Sequence, residues 1–356
     1  MINRSLAHKL PYMPGLTGLR GFSILCVLIF HANVHWLPGG FLSVDIFFVL
    51  SGFLISAMLT REFDHTGQID LKRFYLRRAR RLLPALIAML LTFTVMMAIL
   101  HGSQGFADAI QESAVALFYV SNWTRALDWH APQYLGHTWS LSIEEQYYLL
   151  WPICLLWILC NRRLNPLKIA LSMALISALW RAWLASEGAS VNRLYNGTDT
   201  RLDGLMLGAC IGIAYARGML SDCSSKLSSG QWQACGLAAL TLIAWCLLGV
   251  KLWLDMRLYY WLLHLFQWLA VVLVVVLLVV SQGVLYKIFN NQAMYWLGGI
   301  SYGLYLWHWP IYRLMQDIGA SPISILIFGG GITLLVAQLS WSFVERPILL
   351  VASKRF

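Results

Sequence analysis

The chain has 356 residues, of which 59% are hydrophobic and only 12% charged. A soluble domain carries about twice that charged fraction, so a soluble enzyme or binding module is excluded. The formal charge of +10 does not read as nucleic-acid binding, because Lys and Arg gather in short connections between apolar runs.

A membrane span needs roughly twenty mainly apolar residues. Ten candidates follow in chain order, over about 16–34, 40–60, 82–100, 142–160, 167–185, 202–217, 232–250, 261–280, 295–315 and 322–343. The opening stretch MINRSLAHKLPYMPGLTG lacks a signal-peptide cleavage pattern, so the first apolar run reads as a retained span. Between spans 2 and 3 lie Arg61, Lys72, Arg73, Arg77, Arg78, Arg80 and Arg81, and after span 4 lie Arg162, Arg163 and Lys168. Arg217 with Lys226, then Lys287, then Arg346 with Lys354 and Arg355 mark the next three connections on that side. The long opposite connection, about 101–141, holds only Arg125. This alternation places both termini in the cytoplasm, with odd spans running outward and even spans inward. The expected fold is all-α: one polytopic membrane helical bundle of about ten transmembrane helices over residues 1–356, without an internal repeat.

In the long outer connection, GFADAIQESAVALFYVSNW predicts a helix lying on the membrane surface, with Trp123 and Trp129 as interfacial anchors. Gly204, Gly208 and Gly212 form a small-xxx-small series in span 6 that predicts close helix packing. The seven cysteines show neither CxxC pairs nor metal-ligand spacing, so neither a structural disulfide nor a metal is expected.

The topology also ranks ionisable residues by depth. Arg20 and His31 are eleven residues apart in span 1, which puts them on one helix face about 16 Å apart, Arg20 low and His31 high. Asp45 in span 2, Glu144 and Glu145 in span 4, Arg201 and Asp203 in span 6, His264 in span 8 and His308 in span 9 all fall toward the outer side. Ionisable groups at membrane depth face a bundle interior or a water-filled cavity and mark functional sites. On the cytoplasmic side, KRFYLRRARRLLPA, residues 72–85, reads either as an anchor for anionic headgroups or as a clamp of guanidinium forks for a ligand with several phosphates.

In order along the chain come Arg20 with His31, then GGFLSVDIFFVLSGFLI at 39–55, the Arg-x-x-Arg element before span 3, HTWSLSIEEQYYLLWP at 137–152, RLDGLMLGA at 201–209, SYGLYLWHWPI at 301–311 and VERP at 344–347. This ordered series resembles the acyltransferase-3 family of bacterial membrane acyltransferases over nearly the whole chain. In the Arg-x-x-Arg element Arg78 and Arg81 fit best, and Arg77 with Arg80 is a second register. The resemblance implies O-acylation, often with acetyl-CoA as donor, of surface glycans such as O-antigen, lipopolysaccharide or exopolysaccharide, at the bacterial inner membrane. Some members carry a C-terminal hydrolase-like domain of the SGNH type. Because this sequence ends soon after span 10, a stand-alone membrane domain is expected.

A mechanism suits this layout. Arg77, Arg78 and Arg81 bind the donor's phosphates at the inner mouth, and Arg20 lines the channel above. His31 takes the proton of an acceptor hydroxyl, as imidazole does near neutral pH. A carboxylate orients it, Glu144 or Glu145 with Glu144 favoured, or alternatively Asp45. Trp307, His308 and Trp309, with Arg201 and Asp203, are assigned to the acceptor side. Direct transfer and an acyl-His31 intermediate are both open. The expected partners are an acyl-CoA donor, a glycan or glycolipid acceptor and membrane lipids, with no nucleic acid. A small-molecule or lipid acceptor is the alternative within the enzyme reading. A proton-coupled solute transporter and a non-enzymatic scaffold are the rivals from other classes.

Overall fold

All ten expected spans fall on helix in the computed structural model, which describes residues 10–251 and 262–353. The first nine residues, Lys354, Arg355 and residue 261, where the eighth span was expected to begin, lie outside the described residues. The helices are α1 (Pro14–Ala32), α2 (Ser43–Thr66), α3 (Leu71–Leu117), α4 (Ser121–Ala126), α5 (Trp139–Cys160), α6 (Pro166–Ser186), α7 (Val191–Asn196), α8 (Thr198–Ala216), α9 (Met219–Ser224) and α10 (Ser229–Gly249). They continue with α11 (Leu263–Val279), α12 (Val284–Phe289), α13 (Gln292–Gly299), α14 (Ser301–Asp317), α15 (Pro322–Ser324), α16 (Gly330–Ser340) and α17 (Arg346–Ser353). The last three form one rod, joined by π-turns at Ile325–Gly329 and Trp341–Glu345. No strand occurs among the described residues.

Local chemistry sets the helix ends. Pro14 opens α1 and Pro166 opens α6, where the missing N–H is harmless. Ser228 and Gln231 form a capping box at α10, and Gly67 ends α2 in the left-handed region at φ 74°. Six segments are long and apolar enough to cross a membrane unaided, Pro14–Ala32, Gly40–Thr66, Leu71–Leu117, Pro166–Ser186, Ser229–Gly249 and Pro322–Leu350. Of the four other spans, α11 is apolar but short, while α5, α8 and α14 carry Glu144, Glu145, Arg201, Asp203 and His308. Polar residues at such depths are turned toward protein.

The outer connection departs from expectation. Gly102, at φ 66° and ψ −147°, reverses α3 in a conformation open mainly to glycine. Thr94 on the outgoing arm then bonds Ser113 on the returning arm at 3.2 Å. The segment expected to lie flat on the membrane is therefore the second arm of a hairpin. Glu112 on that arm accepts the backbone N–H groups of Gln133, Tyr134 and Leu135 at 3.0, 3.0 and 2.8 Å. This ties the loop down, and a buried 3-10 turn, Gly136–Thr138, follows. Trp129 is exposed, whereas the Arg193 guanidinium lies 5.5 Å from the Trp123 ring.

Two contacts give the relative direction of α1 and α14. Arg20 meets Ser301 and, farther along both helices, His31 meets His308. The helices run parallel, as two odd-numbered spans should. The core is densest where α2 crosses α8. A Cβ at Gly52 would sit 1.9 Å from the Leu205 carbonyl oxygen, and one at Gly208 would sit 2.1 Å from that of Val49. The small-residue series thus sits where the two backbones touch. Gly208→Leu should force α2 and α8 apart and destabilise the protein by about 1–3 kcal/mol or more, read as a lower midpoint of thermal unfolding in detergent.

Candidate active site

A cavity of about 340 Å³ opens among α1, α2, α3, α5 and α14. Arg20, Arg77, Arg78, Arg81, Glu144 and Glu145 all line it. Arg80 is not among the lining residues, so the cavity favours the Arg78–Arg81 register, supplemented by Arg77. The Arg78 guanidinium stacks 3.5 Å from the Tyr148 ring centroid and lies 3.8 Å from Glu145. Glu144 accepts hydrogen bonds from Ser51 at 3.2 Å and Tyr148 at 3.1 Å. Arg20 donates from Nε and Nη2 to Ser301 Oγ at 3.3 and 3.1 Å. Ser140 and Tyr305, bonded hydroxyl to hydroxyl at 2.6 Å, belong to the same lining.

His31 belongs to a different group. The His308 Nδ1–H donates to the carbonyls of Tyr305 and Leu304 at 2.7 and 3.1 Å. A neutral imidazole has one donor and one acceptor nitrogen, so His308 Nε2 is an acceptor. The 2.8 Å contact between that atom and His31 Nδ1 is then an N–H donated by His31. By the same count His31 Nε2 carries a lone pair. A third imidazole joins them, with the His137 ring centroid 5.4 Å from that of His308. The His137 Nε2–H donates to the Leu306 carbonyl at 3.1 Å. That carbonyl is available because its helical partner would be the N–H of residue 310, which is Pro310. Trp309 meets the His31 ring edge-on at 4.5 Å.

The sequence profile of the acyltransferase domain family matches residues 13–342. The chain belongs to this acyltransferase family. Among curated relatives, the peptidoglycan O-acetyltransferase OatA of Listeria monocytogenes is 32% identical over 362 residues, 98% of this chain and 57% of the relative. The putative peptidoglycan O-acetyltransferase YrhL of Bacillus subtilis is 32% identical over 98% of this chain and 56% of its own length. A putative O-acetyltransferase of Staphylococcus aureus is 32% identical over 95% of this chain and 58% of its own length. The chain thus spans a little over half the length of the curated relatives it matches. No solved structure matches it.

Within this acyltransferase domain, several expected residues stand elsewhere than expected. Glu144 and Glu145 do not contact His31; they line the arginine cavity. The reason is the buried turn at Gly136–Thr138. It starts α5 inside the bundle, level with the histidines, so that residues two turns on lie near Arg20. The partner of His31 is His308, which is fully buried and is not an acceptor-side wall. Trp309 borders His31, whereas Trp307 is buried and sits about 200° round the helix from Trp309.

Asp45, Arg201 and Asp203 form a network of their own, separate from the contacts of His31. Arg201 donates to Asp45 at 2.8 Å, and Arg181 pairs with Asp203 at 2.6 Å. Gln267 Nε2 bridges Asp45 and Asp203 at 2.9 and 3.0 Å. His264 approaches Asp203 at 3.4 Å. Two arginines and two aspartates balance in charge and join α2, α6, α8 and α11. Sequence reading missed Arg181, Gln267 and His137; for His137 the signal was Pro310, which frees one carbonyl. Breaking a buried pair strands the other charge, so Asp45→Ala should cost about 3–5 kcal/mol of stability. The measurement is thermal unfolding alongside acyl-donor binding: a variant of native stability with lost transfer would return Asp45 to the chemistry.

Proposed function

We propose that this protein is a membrane O-acetyltransferase. It takes an acetyl group from acetyl-CoA at the cytoplasmic face of the inner membrane and esterifies a hydroxyl of a cell-envelope glycan at the outer face. The observation that carries this reading is the contact of His31 Nδ1 with His308, which leaves His31 Nε2 open at one end of α1 while Arg20 on the same helix lines an arginine-rich cavity. The names of the relatives point to an acetyl group and a glycan hydroxyl. Peptidoglycan, O-antigen, lipopolysaccharide and exopolysaccharide all offer that acceptor chemistry.

The donor's phosphates suit Arg77, Arg78 and Arg81. Arg78 Nε is buried without a hydrogen-bond partner, and guanidinium forks pair with phosphate oxygens. The Ser140–Tyr305 pair stands between this cavity and the histidines, so the acyl end passes it to reach His31. There the acceptor hydroxyl gives its proton to His31 Nε2 as its oxygen bonds the acyl carbon. The carbon–sulfur bond then breaks, and the imidazolium returns the proton to the leaving thiolate. The products are an ester and free CoA. While His31 is charged, His308 Nε2 keeps the His31 Nδ1–H oriented, the role a carboxylate plays in other triads.

Radiolabelled acetyl-CoA and membranes bearing the protein test this reading. Label should reach envelope glycan with the wild type and not with His31→Ala. Arg78→Ala with Arg81→Ala should weaken donor binding at least ~10-fold, since each charge-assisted hydrogen bond contributes about 1.5–3 kcal/mol. Normal transfer by His31→Ala would sink the mechanism.

A further inference from the structure

A base does not complete an acyl transfer. Negative charge gathers on the carbonyl oxygen as the new bond forms, and donors aimed at that oxygen supply a large share of catalysis. In a helical bundle the interior N–H groups are committed to carbonyls four residues back, leaving side chains and helix starts as donors. Arg125 is the single Lys or Arg of the outer connection 101–141. Its Nε donates to Asn196 Oδ1 at 3.2 Å. Its Nη1 lies 2.8 Å from where a Cβ on Gly136 would stand, and Trp309 Nε1 lies 3.8 Å from the same point. Trp309 is the residue whose ring meets His31. The guanidinium therefore rests on the first residue of the buried turn that leads into α5, whose N-terminal end is itself positive. Other buried arginines of this half, Arg181 and Arg201, have carboxylate partners. Among the described residues Arg125 has no carboxylate within ion-pair distance.

We infer that Arg125, seated on Gly136, is a catalytic residue that stabilises the oxyanion formed on the acyl carbonyl during transfer. This rests on the reading of His31 as the base. The same guanidinium chemistry would also suit a carboxylate or phosphate on the acceptor, and the two sources differ in kinetics. Purified protein in nanodiscs is supplied with acetyl-CoA and, in parallel, a neutral N-acetylglucosamine oligosaccharide or its N-acetylmuramic acid counterpart. Arg125→Gln is expected to lower kcat by about 10²–10³-fold on both acceptors, with donor affinity and KM near wild type and partial recovery in Arg125→Lys. Gly136→Ala keeps the charge but displaces the guanidinium, and should lower kcat by on the order of 10–100-fold. A KM increase confined to the acidic acceptor, with kcat kept, would assign Arg125 to acceptor binding and overturn the inference. So would unchanged kinetics in Arg125→Gln, or, if that variant does not fold, in Gly136→Ala. Failure of the His31 reading is told apart by His31→Ala retaining transfer while Arg125→Gln behaves as expected.

Discussion

The arrangement of the histidines rests on three carbonyls of α14, one of them freed by an omission in the helix's hydrogen-bond ladder. In an apolar interior each backbone carbonyl needs a donor. Pro310 withholds the N–H that Leu306 would otherwise receive, and His137 supplies it. The preceding carbonyls, Leu304 and Tyr305, take the His308 Nδ1–H. Three consecutive carbonyls of one helix thereby fix two imidazoles directly and, through His308, a third. The same bond fastens the loop before α5 to the bundle interior. That sets where α5 begins, and with it the depth of Glu144 and Glu145. One proline thus holds His137 and the carboxylates that follow it, while the proton-accepting nitrogen of His31 is set separately by the Leu304 and Tyr305 carbonyls.

Buried charges here divide into two kinds. Asp45, Asp203, Arg181 and Arg201 neutralise one another across four helices, with Gln267 filling the gap between the carboxylates. The set is balanced in charge, although Arg201 Nε and Nη1 and Gln267 Oε1 have no hydrogen-bond partner, and its contribution is registry among helices that carry too many polar groups to be held by hydrophobicity alone. Arg20 is different: it spends its donors on a serine hydroxyl. A cation satisfied by a neutral group keeps its field for whatever anion enters, and Arg20 lines the cavity into which the donor is proposed to come.

Much of this was legible in the sequence. Hydropathy located stretches that fall on helix, six of them long and apolar enough to cross a membrane, and the charge alternation gave the parallel course of α1 and α14. The eleven-residue spacing of Arg20 and His31 placed one by the cavity and the other among the histidines. Depth counted from the nearest connection then failed for span 4. That count assumes a helix starts at the membrane surface, and α5 starts on a buried turn held by Glu112 and, through His137, by the Leu306 carbonyl 169 residues away. It failed for the helix after Gly102 for a related reason, because a single left-handed glycine turns a surface segment into a returning arm. Partner choice was the least legible feature. Asp45 and Arg201 are 156 residues apart, and nothing in a single sequence distinguishes a carboxylate that meets arginine from one that meets histidine.

Tyr305 links the two halves of the site. Its carbonyl accepts from His308, while its hydroxyl bonds Ser140 and donates to the His137 carbonyl. The first contact belongs to the chain that orients His31; the second lies at the cavity wall. On the proposed donor path the Tyr305 ring can swing while its backbone carbonyl stays, because rotation about side-chain bonds leaves α14 unmoved. In the proposed mechanism His31 therefore keeps its tautomer while the side chain moves. A helix displacement could not do this, since it would carry Leu304, Tyr305 and Leu306 away from both imidazoles at once. Side-chain gating on a fixed backbone is the motion this hydrogen-bond pattern permits.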